Sequence, residues 1–390
     1  MRIHQAPPYT PDSQSGLSLI ELMVAMAIGV VLLTGLIQIF SASSAAFGAA
    51  EGASRVQENA RFAMDFMKRD LRMAGNLGYL NERAYIERTS IFNHAVVPST
   101  NVAAAPFALR IDFPLQAYEF TGSAPGQAVD LTAGVTPAGG SGAYTPTLPT
   151  ELNSLAGDAI AGSDIIVARF LGGELSADVQ SLGGVGTLTL TDPSDAAFFE
   201  VGQMYGLSNR DKMSLFQIRG TGPTLNAGVG GLNASPWVGG EDYNSTAQRY
   251  EYVVYYVGLD AASGEPSLRQ RRFDPNGISL LSGPQTLVEG VESMQLVFGA
   301  DSIGARDDIL DRYYTAGGIN GLDADARLAW QRALNVRIGL LMRSARSGAA
   351  PRDAASPPYR AGDTVINVPV DGRVRQVYES VVTIRNRVRN

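Results

Sequence analysis

The sequence predicts an α+β protein: one long N-terminal helix, half transmembrane and half amphipathic, packed on an antiparallel β-sheet head with a loop-rich insertion. Three observations carry this. From Leu22 to Phe40 no residue is charged, and at 1.5 Å per residue the run spans ~28 Å, close to the ~30 Å hydrocarbon core of a bilayer. No proline falls between Pro11 and Pro98, so the helix can continue past the membrane. The last third then alternates β-branched and aromatic runs with turn residues.

In chain order, residues 1–16 are polar, contain Pro7, Pro8 and Pro11, and end in Gly16. They are not an ordinary secretory signal: Arg2 is the only fixed positive charge, and the apolar run that follows is too long. Residues 17–40 read as the membrane helix. Glu21 is its odd residue, because a carboxylate near the bilayer centre costs roughly 2.5–3.5 kcal/mol. Glu21 either snorkels at the cytoplasmic interface or is neutralised by a cation. A cut after Gly16 would give Leu17 a free α-amine, and a neighbouring subunit could present that amine to Glu21 in a low-dielectric setting.

Residues 41–75 form a stalk. Ser41 to Gly52 is small and polar, whereas Val56, Ala60, Phe62, Ala63, Phe66, Met67, Leu71 and Ala74 recur at steps of three and four. That is an amphipathic stripe expected to dock on a sheet, with Gly75-Asn76 as the stop. Residues 76–245 read as a loop-rich β insertion, with strand-like runs at 164–170, 186–191 and 215–219. Residues 246–390 read as a C-terminal β-sheet domain. Its strands are expected at 250–257, with alternating burial of the tyrosines, and at 267–273, 290–298 and 336–343. A helix is expected at 323–334 with an Asp cap. Asp371-Gly372 is a strong two-residue hairpin signal between 364–370 and 373–388.

Composition removes most chemistry. With 31 Lys and Arg against 38 Asp and Glu the formal charge is −7, which argues against a nucleic-acid surface. Zero cysteines exclude thiol catalysis, disulfides and thiolate metal sites. The two histidines are His4 and His94, so a Ser–His–Asp triad would rest on His94, which reads as a partly exposed loop residue. Gly139-Gly140-Ser141-Gly142-Ala143 breaks the G-x-S-x-G pattern, and no phosphate-loop or dinucleotide motif is present. No catalytic or cofactor-binding residue is expected. Asp301, Asp307, Asp308 and Asp311 offer the hard oxygen ligands that Ca²⁺ takes, although helix caps or solvated charges explain them equally well.

The stretch Gly16-Leu17-Ser18-Leu19-Ile20-Glu21-Leu22-Met23-Val24-Ala25-Met26-Ala27 resembles the class III signal of type IV pilins and pseudopilins. It departs from the commoner pattern in its long leader, in Leu rather than Phe at position 17, and in lacking a proline within the membrane helix. Asp70-Leu71-Arg72-Met73-Ala74-Gly75 resembles the sequence after the stalk in PilW-type minor pilins. Residues 336–346 and Val381-Val382-Thr383-Ile384-Arg385-Asn386-Arg387 resemble the last strands of that family and of J-type pseudopilins. The resemblance implies that prepilin peptidase cuts after Gly16 and methylates Leu17, and that Glu21 acts in assembly. It implies partners among other minor pilins, the major pilin and the inner-membrane assembly machinery. It also implies a single-pass inner-membrane chain of a Gram-negative bacterium with a periplasmic head, later carried in a surface pilus and expected at its tip. The alternatives are a type II secretion pseudopilin and a pilus-tip adhesin or ligand-binding head.

Overall fold

The computed structural model describes residues 16, 18–80, 91–182, 186–222, 224–235, 245–304, 306–345 and 358–384. Helix α1 (Leu19–Met73) is continuous over 55 residues. It stops as expected: Gly75 takes φ 79°, its N–H bonds the Arg169 carbonyl at 3.0 Å, and Asn76 Nδ2 donates to the Leu171 carbonyl at 2.6 Å. The helix end is thereby stitched to the head.

The strands follow as β1 (Ile91–Asn93), β2 (Leu115–Phe120), β3 (Ala128–Asp130), β4 (Tyr144–Thr145), β5 (Ile165–Leu182) and β6 (Thr187–Leu190). Next come β7 (Met204–Ser208), β8 (Met213–Gln217), β9 (Thr224–Asn226), β10 (Ser245–Leu259), β11 (Pro266–Arg272) and β12 (Gln285–Glu289). The last are β13 (Val291–Ala300), β14 (Arg312–Tyr314), β15 (Ala333–Arg343), β16 (Tyr359–Ala361), β17 (Thr364–Asn367) and β18 (Arg375–Thr383). Short helices are α2 (Asn153–Ala156), α3 (Ala316–Asn320) and α4 (Ala326–Trp330). The helix expected at 323–334 is thus confined to α4, where Asp325 caps it by accepting the Arg327 N–H at 3.0 Å. β15 takes over at Ala333.

An 11-stranded sheet runs β1-β8-β7-β10-β5-β2-β4, with β11 and β12 continuing from β10 and β6 and β9 from β5. Its axis is the β10–β5 pair, in register from Ser245↔Val179 to Tyr255↔Ile166. Residues 76–245 and 246–390 therefore share one sheet. A four-stranded antiparallel sheet runs β14-β13-β15-β18, and a small third sheet runs β16-β17-β3. Not all pairing is antiparallel, because β1–β8 and β17–β3 are parallel.

Three expectations are corrected here. Tyr250, Tyr252 and Tyr256 pack on one face of β10 while Tyr255 packs on the other, and all four are buried; a strand covered on both faces does not alternate. Asp371-Gly372 does turn, with Gly372 at φ 71°, but it joins no hairpin: β17 pairs in the small sheet and β18 pairs with β15. The Asp371 carboxylate instead accepts from Arg375 at 2.7 and 2.8 Å, which steers the chain into a different sheet. His94 is buried, at 5% exposure, with its N–H on the Leu215 carbonyl at 2.9 Å.

α1 docks through Val56, Ala60, Ala63, Met64, Met67, Asp70 and Leu71, in one core with Ile166, Val253, Leu268, Met294 and Ile338 of the two larger sheets. Burying a side chain such as Met67 or Leu71 stabilises the docked helix by ~1.5–3 kcal/mol. Phe62 and Phe66 do not join this core; they stand 43% and 42% exposed. At 100° per residue Phe62 lies about 200° round from Ala60, so the apparent single stripe is two.

Asp70 is the polar bolt of this docking. Its Oδ2 accepts from Tyr255 Oη at 2.7 Å and from Arg272 Nη2 at 2.7 Å, and Arg272 also pairs with Glu251 at 3.0 Å. Asp70→Ala removes the acceptor from a buried phenol and the partner of a half-buried guanidinium, and should destabilise the head by ~2–3 kcal/mol. Urea unfolding of the full chain in detergent checks this, and a change below ~0.5 kcal/mol would show that water replaces the carboxylate.

Asp164 ties the two larger sheets together. Its Oδ1 accepts from the Phe120 N–H at 3.0 Å and Oδ2 from the Leu296 N–H at 2.8 Å. Burial pushes its carboxyl up to about 8, against the downward pull of those two bonds. The unfolded chain releases this proton near pH 4 and the folded chain holds it until about pH 8. Stability should therefore be greatest below ~pH 4 for this group and fall as pH rises, by up to ~1.4 kcal/mol per unit. Unfolding free energies at pH 5, 6 and 7 should decline for the parent chain and less steeply for Asp164→Asn; equal slopes would refute the assignment.

Candidate functional site

The N-terminus of α1 gathers the residues that sequence points to. Gly16 is described and exposed; Leu17 and residues 1–15 lie outside the described residues. Ser18 caps the helix in extended backbone geometry. Its hydroxyl accepts the Glu21 N–H at 3.2 Å, and the Glu21 Oε2 accepts the Ser18 N–H at 2.9 Å. This reciprocal capping box satisfies two otherwise orphaned N–H donors and places a carboxylate at the positive end of the helix dipole. The other Glu21 oxygen has no hydrogen-bond partner among the described residues. Ser18 was legible as part of this site from the S-x-x-E spacing alone.

From Leu19 to Phe40 the helix is bare, with its large apolar side chains exposed all round. It is the one helix among the described residues long and apolar enough to cross a membrane. A helix apolar on every side needs lipid or other apolar helices as its surroundings. Glu21 is the fourth residue after Leu17, whose amine a cut after Gly16 would free, and its carboxylate already rests on the N–H of Ser18.

The acidic loop offers less. Asp301 Oδ2 accepts the N–H groups of Asp307 and Asp308, each at 2.7 Å, and Asp311 Oδ2 accepts those of Ser302 and Ile303, each at 2.8 Å. Asp307 accepts from Ile309 and Asp308 pairs with Arg306. These carboxylates chiefly hold turn backbone and Arg306, and among the described residues no three His, Asp or Glu side chains form a metal-holding group.

The arginines of the C-terminal strands close a buried ion network. Glu292 receives Arg375 in fork geometry at 2.7 and 3.0 Å and Arg343 at 2.8 Å. Arg343 and Arg373 reach Glu265 at 2.7 and 3.1 Å, in the turn between β10 and β11. The four-stranded sheet is thereby clamped to the large one.

A bare apolar helix with an N-terminal carboxylate continues without a break into a stalk docked on a β-sheet head, the arrangement expected of a membrane-anchored pilin. Residues 11–37 match the family model of the prokaryotic N-terminal methylation motif. Residues 254–386 match the model of PilW, the type IV pilus-assembly protein W, a span that takes in the end of β10 and the whole clamped sheet. Both models describe structural components of type IV pili, and together they make the chain similar to PilW-type minor pilins at its N-terminus and over its C-terminal third. No curated protein and no solved structure matches it.

Proposed function

We propose that this chain is processed by prepilin peptidase between Gly16 and Leu17, methylated on Leu17, and incorporated into a type IV pilus together with other minor pilins and the major pilin. The observation that carries this is the Ser18–Glu21 capping box at the head of a bare apolar helix. It holds a carboxylate where the amine of a neighbouring subunit can pair with it as helices leave the bilayer. The head is periplasmic before assembly and at the cell surface afterwards. A position at the fibre tip, where the chain helps to initiate assembly, suits a head this large: repeated along a tight shaft it would clash with itself. No cofactor takes part in this role.

Mass spectrometry of sheared surface fibres and of membranes from the native cell tests it. A peptide that begins at methylated Leu17 is expected in the fibres. The same peptide confined to membranes would favour a priming complex or a secretion pseudopilin, and intact residues 1–16 on the mature chain would overturn the proposal.

A further inference from the structure

The arm of the large sheet formed by the outer parts of β5, β7 and β10 has two unlike faces. Ala177, Val179, Leu207 and Ala247 turn into an apolar cluster with Tyr205 and Phe216. On the other face Asp178, Thr246 and Ser208 lie abreast across the three strands. There a cleft of about 500 Å³ opens, lined by Tyr79, Asp178, Gln180, Asn209, Arg210 and Thr246 among others. That volume falls within the ~300–1,000 Å³ of small-ligand sites.

Part of its lining is hydrogen-bonding equipment that the fold leaves idle. Thr246 Oγ1 donates to Asp178 Oδ1 at 2.9 Å, and Asp178 Oδ2 has no partner among the described residues. Gln180 and Arg210 make no side-chain hydrogen bond among the described residues. Tyr79, 64% exposed, is held at the rim by its N–H on Ser208 Oγ at 3.1 Å. The preceding Gly78 makes this approach possible: at φ 72° a Cβ there would stand 2.0 Å from Ser208 Oγ. The chain is thus built to bring one aromatic ring to a polar cleft.

We propose that this cleft binds a saccharide. A pyranose offers an apolar C–H face to the Tyr79 ring and a rim of hydroxyls that both donate and accept. Carboxylate, amide and guanidinium side chains meet such a rim with fixed, planar geometry. A single cation does not make a polyphosphate site, and the polar lining does not suit an acyl chain. Asp178 is the only carboxylate among the described lining residues, one short of the paired acids used in glycoside hydrolysis, and the proposal is of binding. The inference goes beyond assembly and does not depend on it.

The test uses the full chain in a detergent without a sugar headgroup. Saturation-transfer NMR would be run against D-glucose, D-galactose, D-mannose, N-acetyl-D-glucosamine and N-acetylneuraminic acid, with open-chain sorbitol as the control. At least one ring sugar should show transfer while sorbitol does not. Tyr79→Ala and Arg210→Ala should each weaken its affinity by about tenfold. Both side chains are bonded to nothing that holds the fold, so unchanged unfolding curves are expected. Absence of transfer from every ring sugar, or transfer unaltered in both variants, overturns the proposal. Fibre assembly by the same variants should stay normal, which separates failure here from failure of the pilin reading.

Discussion

Glu292→Ala should destabilise the head by ~3–5 kcal/mol, the range for removing one partner from a buried ion pair. Glu292 and Arg375 are almost wholly buried, their side chains each 1% exposed, and Arg343 leans on the same carboxylate. Alanine leaves two guanidinium groups facing a dry interior, with only Asp371 and Glu265 at their far sides. Glu292→Gln should cost less, because an amide oxygen still accepts one of the three bonds. Exchanging both members of the fork, Glu292→Met with Arg375→Met, should recover much of the loss, since apolar pairs of similar volume often replace buried ions without penalty. Urea unfolding of the parent, the two single variants and the double variant gives the comparison. If Glu292→Ala shifts stability by less than ~1 kcal/mol, water reaches the network and the two sheets are clamped by something else.

The second large effect is expected at Glu21. Substitution by alanine should leave membrane insertion intact or slightly improved, since a costly carboxylate is removed, yet reduce incorporation into fibres by about tenfold or more. Glu21→Gln separates two roles that alanine confounds. Glutamine can close the same capping box with Ser18 but carries no charge for an incoming amine. If charge pairing drives assembly, the glutamine chain fails with the alanine chain. Should the glutamine chain assemble normally, helix capping is the function of this residue and the charge-pair mechanism is wrong. Immunoblots of fibres and membranes from cells carrying each variant give both quantities.

Sequence revealed the parts of this molecule whose signals are local. The apolar run, the proline-free stretch and the Gly75 stop define α1, and β10 announces itself by seven successive β-branched or aromatic residues interrupted only by Glu251. Strand partnership was not legible, because it is settled between distant segments: β5 pairs with β10 across a gap of more than 60 residues. The Asp371-Gly372 signal misled for a related reason. A turn dipeptide fixes a reversal of the chain, but the partner of each flanking strand depends on which face it can bury. Phe62 and Phe66 misled because a count of three- and four-residue steps admits two stripes at once. At the candidate site Gly16, Leu17 and Glu21 could be named from their order. The cleft could not, because Tyr79, Asp178, Arg210 and Thr246 come together only when three strands and the linker after α1 are laid side by side.

The bare stretch of α1 also sets a distance. If Phe40 marks the outer edge of the hydrocarbon, the first buried docking residue, Val56, lies some 20 Å further along a helix that contains no proline. The head is then held on a stiff spar and does not rest on the lipid. The spar sets the clearance between the docked face and the apolar run, and shortening it by whole helical turns would close that clearance without altering the head.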